Sequence, residues 1–279
     1  MTSRCRQTVN PGILCTVQKR NGPIRAIILT TQRTGSTFLV GCLQSHPDIN
    51  CITELLVGAH LEPPRFLRTS RTGTKAARFL MSGGWFPTRA MRRFYASSDK
   101  PVSIFKAMYN QVSVPWTLRY LTRNTDIHVL HLSRRNLLKM HVSQLLMPTR
   151  RNRIWEPHTT EPLPPVTTRV DPAAAVEQMR KAQLAYQHFE DLFKAHRRLP
   201  VAYEDLIENQ RLRPSEGRRI CDFFGIGDHP MQSSLIKMNP ESLQAMVSNY
   251  DELAAAISRT EFASLLDADP GEERACASS

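Results

Sequence analysis

The run Ile27-Ile28-Leu29-Thr30-Thr31-Gln32-Arg33-Thr34-Gly35-Ser36-Thr37-Phe38-Leu39 constrains the fold of this chain more than any other stretch. A short β-branched apolar segment feeds a turn of small residues. Phe38, Leu39, Cys42 and Leu43 then repeat at helical spacing. The pattern predicts strand, tight loop, helix. Amides at a helix start lack intrahelical partners, and the helix dipole favours negative charge there. With Gly35 at the bend, hydroxyls at Ser36 and Thr37, and a cation at Arg33, the loop is suited to hold a phosphate. The competing reading is an ordinary strand-to-helix turn capped by hydroxyls.

The loop is not G-x-x-x-x-G-K-[ST]: no Lys follows Gly35, and Arg33 precedes it. The 279 residues suffice for one large α/β domain, and 41% hydrophobic with 22% charged residues is ordinary globular usage. A net charge of +12 favours anionic partners without choosing among nucleotides, phosphorylated or sulfated substrates, nucleic acid and acidic membranes. Cys5, Cys15, Cys42, Cys51, Cys221 and Cys276 form no C-x-x-C pair and no zinc spacing, so they read as free thiols of a reducing compartment. No secretory h-region and no membrane-length apolar run is present, which gives the expectation of a soluble cytoplasmic protein.

Residues 1–24 read as a flexible polar arm, 25–266 as one domain, and 267–279 as a disordered acidic tail. Strands are expected at Ala26–Thr31, Ile49–Thr53, Val102–Met108, Ile127–Leu132 and Leu199–Tyr203. Helices are expected at Ser36–Ser45, Ser113–Arg123 with Ser113 as N-cap, Asn136–Met147, Asp171 to about Arg197, 204–210 and 214–224. Residues 58–100 read as short helices and mobile loops of a substrate-facing insertion, and 148–170, with five prolines, as a loop or lid. Alternating strands and helices imply a parallel sheet covered on both faces, with ligands beyond the carboxyl ends of the strands. Arg33-Thr34-Gly35, Lys106 and Arg134-Arg135-Asn136 all fall at such ends.

In His131-Leu132-Ser133-Arg134-Arg135-Asn136-Leu137-Leu138-Lys139-Met140-His141-Val142-Ser143, Ser143 lies eight residues after Arg135. A guanidinium can contact phosphate in a planar, bidentate way. On spacing alone, Arg135 at a solvated strand end with Ser143 as a filler on a helix is the favoured reading.

Taken together, these segments resemble the sulfotransferases that use 3′-phosphoadenosine 5′-phosphosulfate (PAPS). That resemblance rests on Arg33–Thr37, on Arg135 with Ser143, and on Tyr203-Glu204-Asp205-Leu206. Ser45-His46-Pro47-Asp48, Glu54-Leu55-Leu56, and Pro240 followed by Asn249-Tyr250-Asp251-Glu252-Leu253 look like the bacterial carbohydrate branch, typified by the rhizobial nodulation-factor sulfotransferase. It implies a single-domain α/β fold of the P-loop-NTPase-like sulfotransferase type, PAPS as co-substrate with adenosine 3′,5′-bisphosphate as product, and no metal. It places Arg33 at the bridging oxygen of the donor, and Thr34, Gly35, Ser36 and Thr37 on the 5′-phosphate. Arg135 and Ser143 fall on the 3′-phosphate, and Phe38 and Tyr203 beside the adenine. A core role for Phe38 and a sheet-edge role for Tyr203, with Asp205 as N-cap, stay open. Gln32 stands where many relatives have Pro, and the doubled Arg134-Arg135 leaves a register choice that the spacing to Ser143 settles toward Arg135.

Sulfuryl transfer needs a base for the acceptor hydroxyl, cations on the transferred and leaving oxygens, and a firm hold on the nucleotide. Glu54 is the expected base and Lys106 a second cation; a surface Glu and a solvated Lys are the rival readings. His46, His128, His131 and His141 are read as structural, though a His base remains open. The expected acceptor is a hydroxyl of a sugar or glycolipid, with Arg-rich segments 65–93 and 148–153 as candidate recognition elements. Two other classes compete: a non-Walker, kinase-like nucleotide enzyme, and a polyanion- or nucleic-acid-binding protein. The first lacks a Walker Lys and a strand-end magnesium ligand. The second is opposed by aromatics at only 7%, spread through apparent core positions.

Overall fold

The apolar run at the amino end becomes β1, Ile24–Thr30, whose Ala26, Ile27, Ile28 and Leu29 are wholly inaccessible to solvent. A strand buried on both sides belongs in the middle of a parallel sheet, and the computed structural model places it there. It describes residues 22–56, 85–153, 166–208, 211–233 and 242–266. The expected arm before residue 22, the tail from 267, Pro240, and parts of the expected insertion and of the expected loop or lid lie outside these residues.

Four further strands, β2 (Ile49–Glu54), β3 (Val102–Met108), β4 (His128–Ser133) and β5 (Arg198–Ala202), give the order β2-β3-β1-β4-β5. Every neighbouring pair is parallel. The chain therefore places β2 at one edge, inserts β3 between it and β1, and then crosses to the other side of β1, creating the reversal of strand order at which α/β sheets bind ligands.

Side-chain alternation divides the core. Ala26 and Ile28 of β1 pack with Leu39 and Leu43 of α1 (Ser36–Gln44) and with Ile220 and Phe224 of α8 (Pro214–Phe224). Ile27 and Leu29 pack on the opposite face against α2 (Trp85–Ala96), α3 (Tyr109–Val112), α4 (Pro115–Arg123) and Phe189 of α6 (Pro172–Leu192). A third cluster joins α5 (Leu137–Arg153) and the start of α6 to α9 (Leu243–Met246) and α10 (Tyr250–Ile257). Asp171 caps α6 as expected, its Oδ1 accepting from the amides of Ala173 and Ala174. Cys42, Cys51 and Cys221 are buried free thiols; burial pushes Cys42 and Cys51 up to about 12, so both stay protonated and unreactive.

Beyond shifts of one or two residues at the ends of β1, β2, β4, β5 and α1, four elements differ from the sequence expectation. Ser113 does not cap α4: its Oγ donates back to the Tyr109 carbonyl at 2.8 Å, closing α3, and Val114 takes the N-cap before Pro115. Helix α6 stops at Leu192 instead of near Arg197, because the Arg197 carbonyl accepts from Val129 N to start β5. The stretch 204–210 is helical only as α7 (Tyr203–Leu206), after which β6 (Ile207–Glu208) pairs antiparallel with β7 (Arg211–Leu212). Helix α5 runs past Met147 to Arg153.

Candidate active site

The carboxyl ends of all five strands carry the residues singled out from sequence. Glu54 closes β2, Lys106 lies near the end of β3, residues 31–35 follow β1, Arg134-Arg135 follow β4, and Tyr203-Glu204-Asp205 follow β5. With strands about 4.8 Å apart, this edge is about 19 Å wide.

The loop after β1 is wound tightly by two left-handed residues, Arg33 at φ 62° and Gly35 at φ 76°. Gly35 is required twice over. Its φ suits a residue without a side chain, and a Cβ there would sit 2.2 Å from Cδ2 of Tyr203. Inside the turn, Thr34 Oγ1 donates to the Thr31 carbonyl at 3.0 Å and lies 2.6 Å from Thr30 Oγ1. Thr30 Oγ1 in turn donates to the Leu132 carbonyl of β4 at 3.0 Å. The Thr34 hydroxyl is thus engaged within the loop, which leaves its amide as the group for an anion. Gly35 is the N-cap of α1 and supplies no capping side chain, so the first-turn amides at Ser36, Thr37 and Phe38 have no intrahelical acceptor and no cap from Gly35. Phe38 itself packs, partly buried, against the α1-side core.

Arg33 joins this loop to α5. Its Nε donates to Ser143 Oγ at 2.8 Å, and its carbonyl accepts from Arg134 Nη1 at 3.0 Å. The guanidinium of Arg134, a buried residue, lies 4.8 Å from the centre of the Tyr203 ring. Early loop, β4 end and β5 end therefore meet around the Arg33 backbone. Arg135 projects outward: its Nη1 and Nη2 form a two-point contact with Asp205 at 2.9 and 2.5 Å. That hydrogen bond holds the Asp205 carboxyl below the usual carboxylate range. Glu204 accepts from the amides of Arg135 and Asn136 at 3.0 and 3.1 Å, occupying with a carboxylate the anion-seeking start of α5.

Two strands away, Lys106 Nζ and Glu54 Oε1 form an ion pair at 2.8 Å, directly registered across β2 and β3. The lysine side chain is 4% exposed and the glutamate 28%, so the carboxylate is the accessible half. Gln111 fixes the geometry, accepting from Met108 N at 3.0 Å and donating to Glu54 Oε2 at 3.4 Å.

A polar and aromatic cluster backs the edge. Tyr109 OH lies 2.6 Å from His131 Nε2, and its ring stacks on Phe189 at 4.1 Å. Tyr186 OH accepts from Arg134 N at 3.3 Å. Burial lowers His131 to about 4, and the carboxylate of Glu190, at 4.0 Å, is too distant to offset that. His131 is therefore a neutral structural histidine.

A parallel sheet with this strand order, a glycine-kinked loop running into a helix, and cations from neighbouring strand ends together define an anion-handling α/β protein. The sulfotransferase family model matches residues 25–230, and the chain belongs to the sulfotransferase family. Among solved structures, the chain is similar to a sulfotransferase from Alicyclobacillus acidocaldarius at 16% identity, covering 88% of this chain and 96% of that one with a TM-score of 0.47. It is also similar to the sulfotransferase domain of the olefin synthase of Synechococcus PCC 7002 at 18% identity, covering 75% of each, with a TM-score of 0.37. No curated protein sequence matches the chain. Among the described residues no helix is long and apolar enough to cross a membrane, and no three His, Cys, Asp or Glu side chains could hold a metal ion.

Sequence reasoning missed the parts played by Thr30, Gln111, Arg134 and Glu204, and offered Asp205 as an N-cap, whereas Ala202 holds that position and Asp205 pairs with Arg135. Their partners lie far along the chain: 102 residues separate Thr30 from Leu132 and 69 separate Arg135 from Glu204. No local pattern encodes such pairings.

Proposed function

We propose that this protein transfers the sulfuryl group of PAPS to a hydroxyl of a carbohydrate or glycosylated acceptor, by in-line displacement. The observation that carries the reading is the bond from Arg33 Nε to Ser143 Oγ, which joins the two anion cradles expected from sequence into one site. Arg33 and the amides of residues 34–37 would hold the 5′-phosphate, with Ser143 and Arg135 at the 3′-phosphate and Tyr203 and Phe38 toward the adenine. Arg135 can take that place by exchanging Asp205 for phosphate, since its two-point contact has the geometry a phosphate needs.

In the reaction the acceptor oxygen attacks sulfur, and the bond from sulfur to the bridging oxygen breaks. The leaving phosphate keeps that electron pair, and the acceptor proton passes to Glu54. Glu54 suits this role as the accessible member of a buried ion pair. A proton arriving on it weakens its hold on Lys106, turning that ammonium toward charge on the sulfuryl oxygens as it builds.

The test pairs binding with turnover. Adenosine 3′,5′-bisphosphate should raise the melting temperature of the protein, and absence of any shift overturns the donor assignment. With radiolabelled PAPS and sugar acceptors, Glu54→Gln should lose about 100-fold in turnover; near-normal turnover in the folded variant removes Glu54 as base.

A further inference from the structure

A second cavity borders the site, of about 190 Å³, between α5 and α6. Its wall includes Thr31 of the β1 loop, Met140, His141 and Gln144 of α5, and Gln178 and Ala182 of α6. Thr31 closes the β1 loop, its carbonyl accepting from Thr34 Oγ1 at 3.0 Å, and Met140 lies one helical turn before Ser143, the residue that Arg33 Nε contacts. The cavity therefore opens beside the place where the proposed donor is held.

Its chemistry is specific. The lining includes the apolar side chains of Met140 and Ala182, while its polar groups other than Lys181 are neutral: two amides, one hydroxyl and one imidazole. The cation on the wall, Lys181, is held by Glu177 at 2.6 Å. His141 is 8% exposed, and its Nδ1 is sealed from solvent with no hydrogen-bond partner among the described residues. Burial holds its pKa below the ordinary histidine value, so the ring is neutral at physiological pH. A proton on the sealed nitrogen would be an orphan donor, a rare and costly arrangement. The neutral ring accordingly carries its proton on Nε2 and has a hydrogen bond left to give.

We infer that this cavity is the acceptor subsite, and that it takes a polyhydroxylated ring or chain whose hydroxyl oxygen is bound by His141 and whose C–H face rests on Met140 and Ala182. The inference rests on the sulfuryl-transfer reading and adds the place and class of the acceptor. Hydroxyls both donate and accept, which matches the mix of Gln144, Gln178, Thr31 and His141. A volume of about six waters, at about 30 Å³ each, admits a single ring and not a folded macromolecule.

The experiment uses the full chain, radiolabelled PAPS, and methyl glucopyranoside, methyl galactopyranoside and cyclohexanol as probes. Wild type should sulfate at least one glycoside more efficiently than cyclohexanol. His141→Phe, and separately Ala182→Leu, which fills the cavity from the other helix, should raise the glycoside KM by about tenfold. His141→Gln, which keeps a donor near the Nε2 position, should stay within about threefold of wild type. Affinity for adenosine 3′,5′-bisphosphate should stay within about twofold in all three variants, since none removes a group that holds the nucleotide. Unchanged KM in both His141→Phe and Ala182→Leu overturns the subsite. Preference for cyclohexanol, or no glycoside turnover by a wild type that binds the bisphosphate, overturns the acceptor class alone. Failure of wild type to bind the bisphosphate removes the donor reading beneath it.

Discussion

The two ends of the central sheet use similar residues to different effect. At the amino-terminal end a pocket of about 700 Å³ is lined by Arg25, Arg92 and Arg197 with Tyr95 and His128. At the carboxyl-terminal end stand Arg33, Arg134, Arg135 and Lys106. The rear pocket is larger than the cavity between α5 and α6, yet its cations lie over aromatic rings: Arg25 over Tyr95 at 5.8 Å, Arg92 over Tyr120 at 5.8 Å, Arg197 over Phe223 at 5.3 Å. Arg25 also pairs with Asp126. At the front, Arg33 is aimed by a left-handed backbone and Lys106 emerges from a buried strand. Loop amides join them there. Positive charge and volume are thus poor guides to chemistry in this molecule. What marks the working edge is that backbone geometry and tertiary hydrogen bonds fix where each charge points.

The contrast can be broken by substitution. Arg33→Ala should cost most, about 100- to 1000-fold in kcat/KM measured with radiolabelled PAPS, as expected for loss of a charge-stabilising group. Arg197→Ala at the rear should leave it within about twofold, since surface cations are worth little. A comparable loss at both ends would erase the distinction.

Acid stability tests the support behind the front edge. His131 is held neutral down to about 4, against an ordinary value near 6.5, so the unfolded chain binds the extra proton between these values. Its contribution is complete above about pH 6.5 and is lost as pH falls toward 4, amounting to at most about 3 kcal/mol. Denaturant melts of His131→Gln should show a shallower decline than wild type across that window, and an unchanged slope would deny the buried-neutral assignment.

Gly35→Ala combines an unfavourable φ with a clash against Tyr203. We expect a loss of about 2 kcal/mol in stability, together with a smaller thermal shift on adding adenosine 3′,5′-bisphosphate. Gly225, whose φ is also left-handed but whose Cβ would meet nothing within 4 Å, should lose only the backbone part, about 1 kcal/mol on mutation to alanine. Equal losses would mean that Tyr203 yields freely. The smallest effect belongs to Asp205→Asn. Removing an exposed partner of Arg135 should change stability by less than about 1 kcal/mol, while tightening bisphosphate binding, read by calorimetry, if Arg135 must leave Asp205 to hold phosphate.

Much of this architecture was legible in the residues because its signals are local. Val102–Met108 and Pro214–Phe224 were expected at their observed bounds, the first as a mostly apolar run broken by Ser103 and Lys106 and the second as an amphipathic stretch opening on Pro. The family, too, was legible, through short motifs in the right order. What escaped were features set by distant partners. The end of α6 depends on where β5 must begin, and the hydroxyl of Ser113 could either accept from an amide of the following helix or donate to a carbonyl of the preceding one. The choice between Arg134 and Arg135 shows the limit clearly. Spacing favoured Arg135, whereas the fold brings Arg134 to the loop carbonyl and leaves Arg135 on Asp205. That the two neighbouring arginines take such different partners was not visible in a count of residues.

The left-handed conformation at Arg33 has a consequence for anyone tuning this protein. A residue bearing a Cβ rests there about 1–2 kcal/mol above its relaxed shape. Asn or Gly would sit in that conformation more comfortably, so either replacement should make the resting fold hardier while stripping the loop of its cation. Screens that reward heat tolerance alone would drift toward such variants and return durable, inactive proteins.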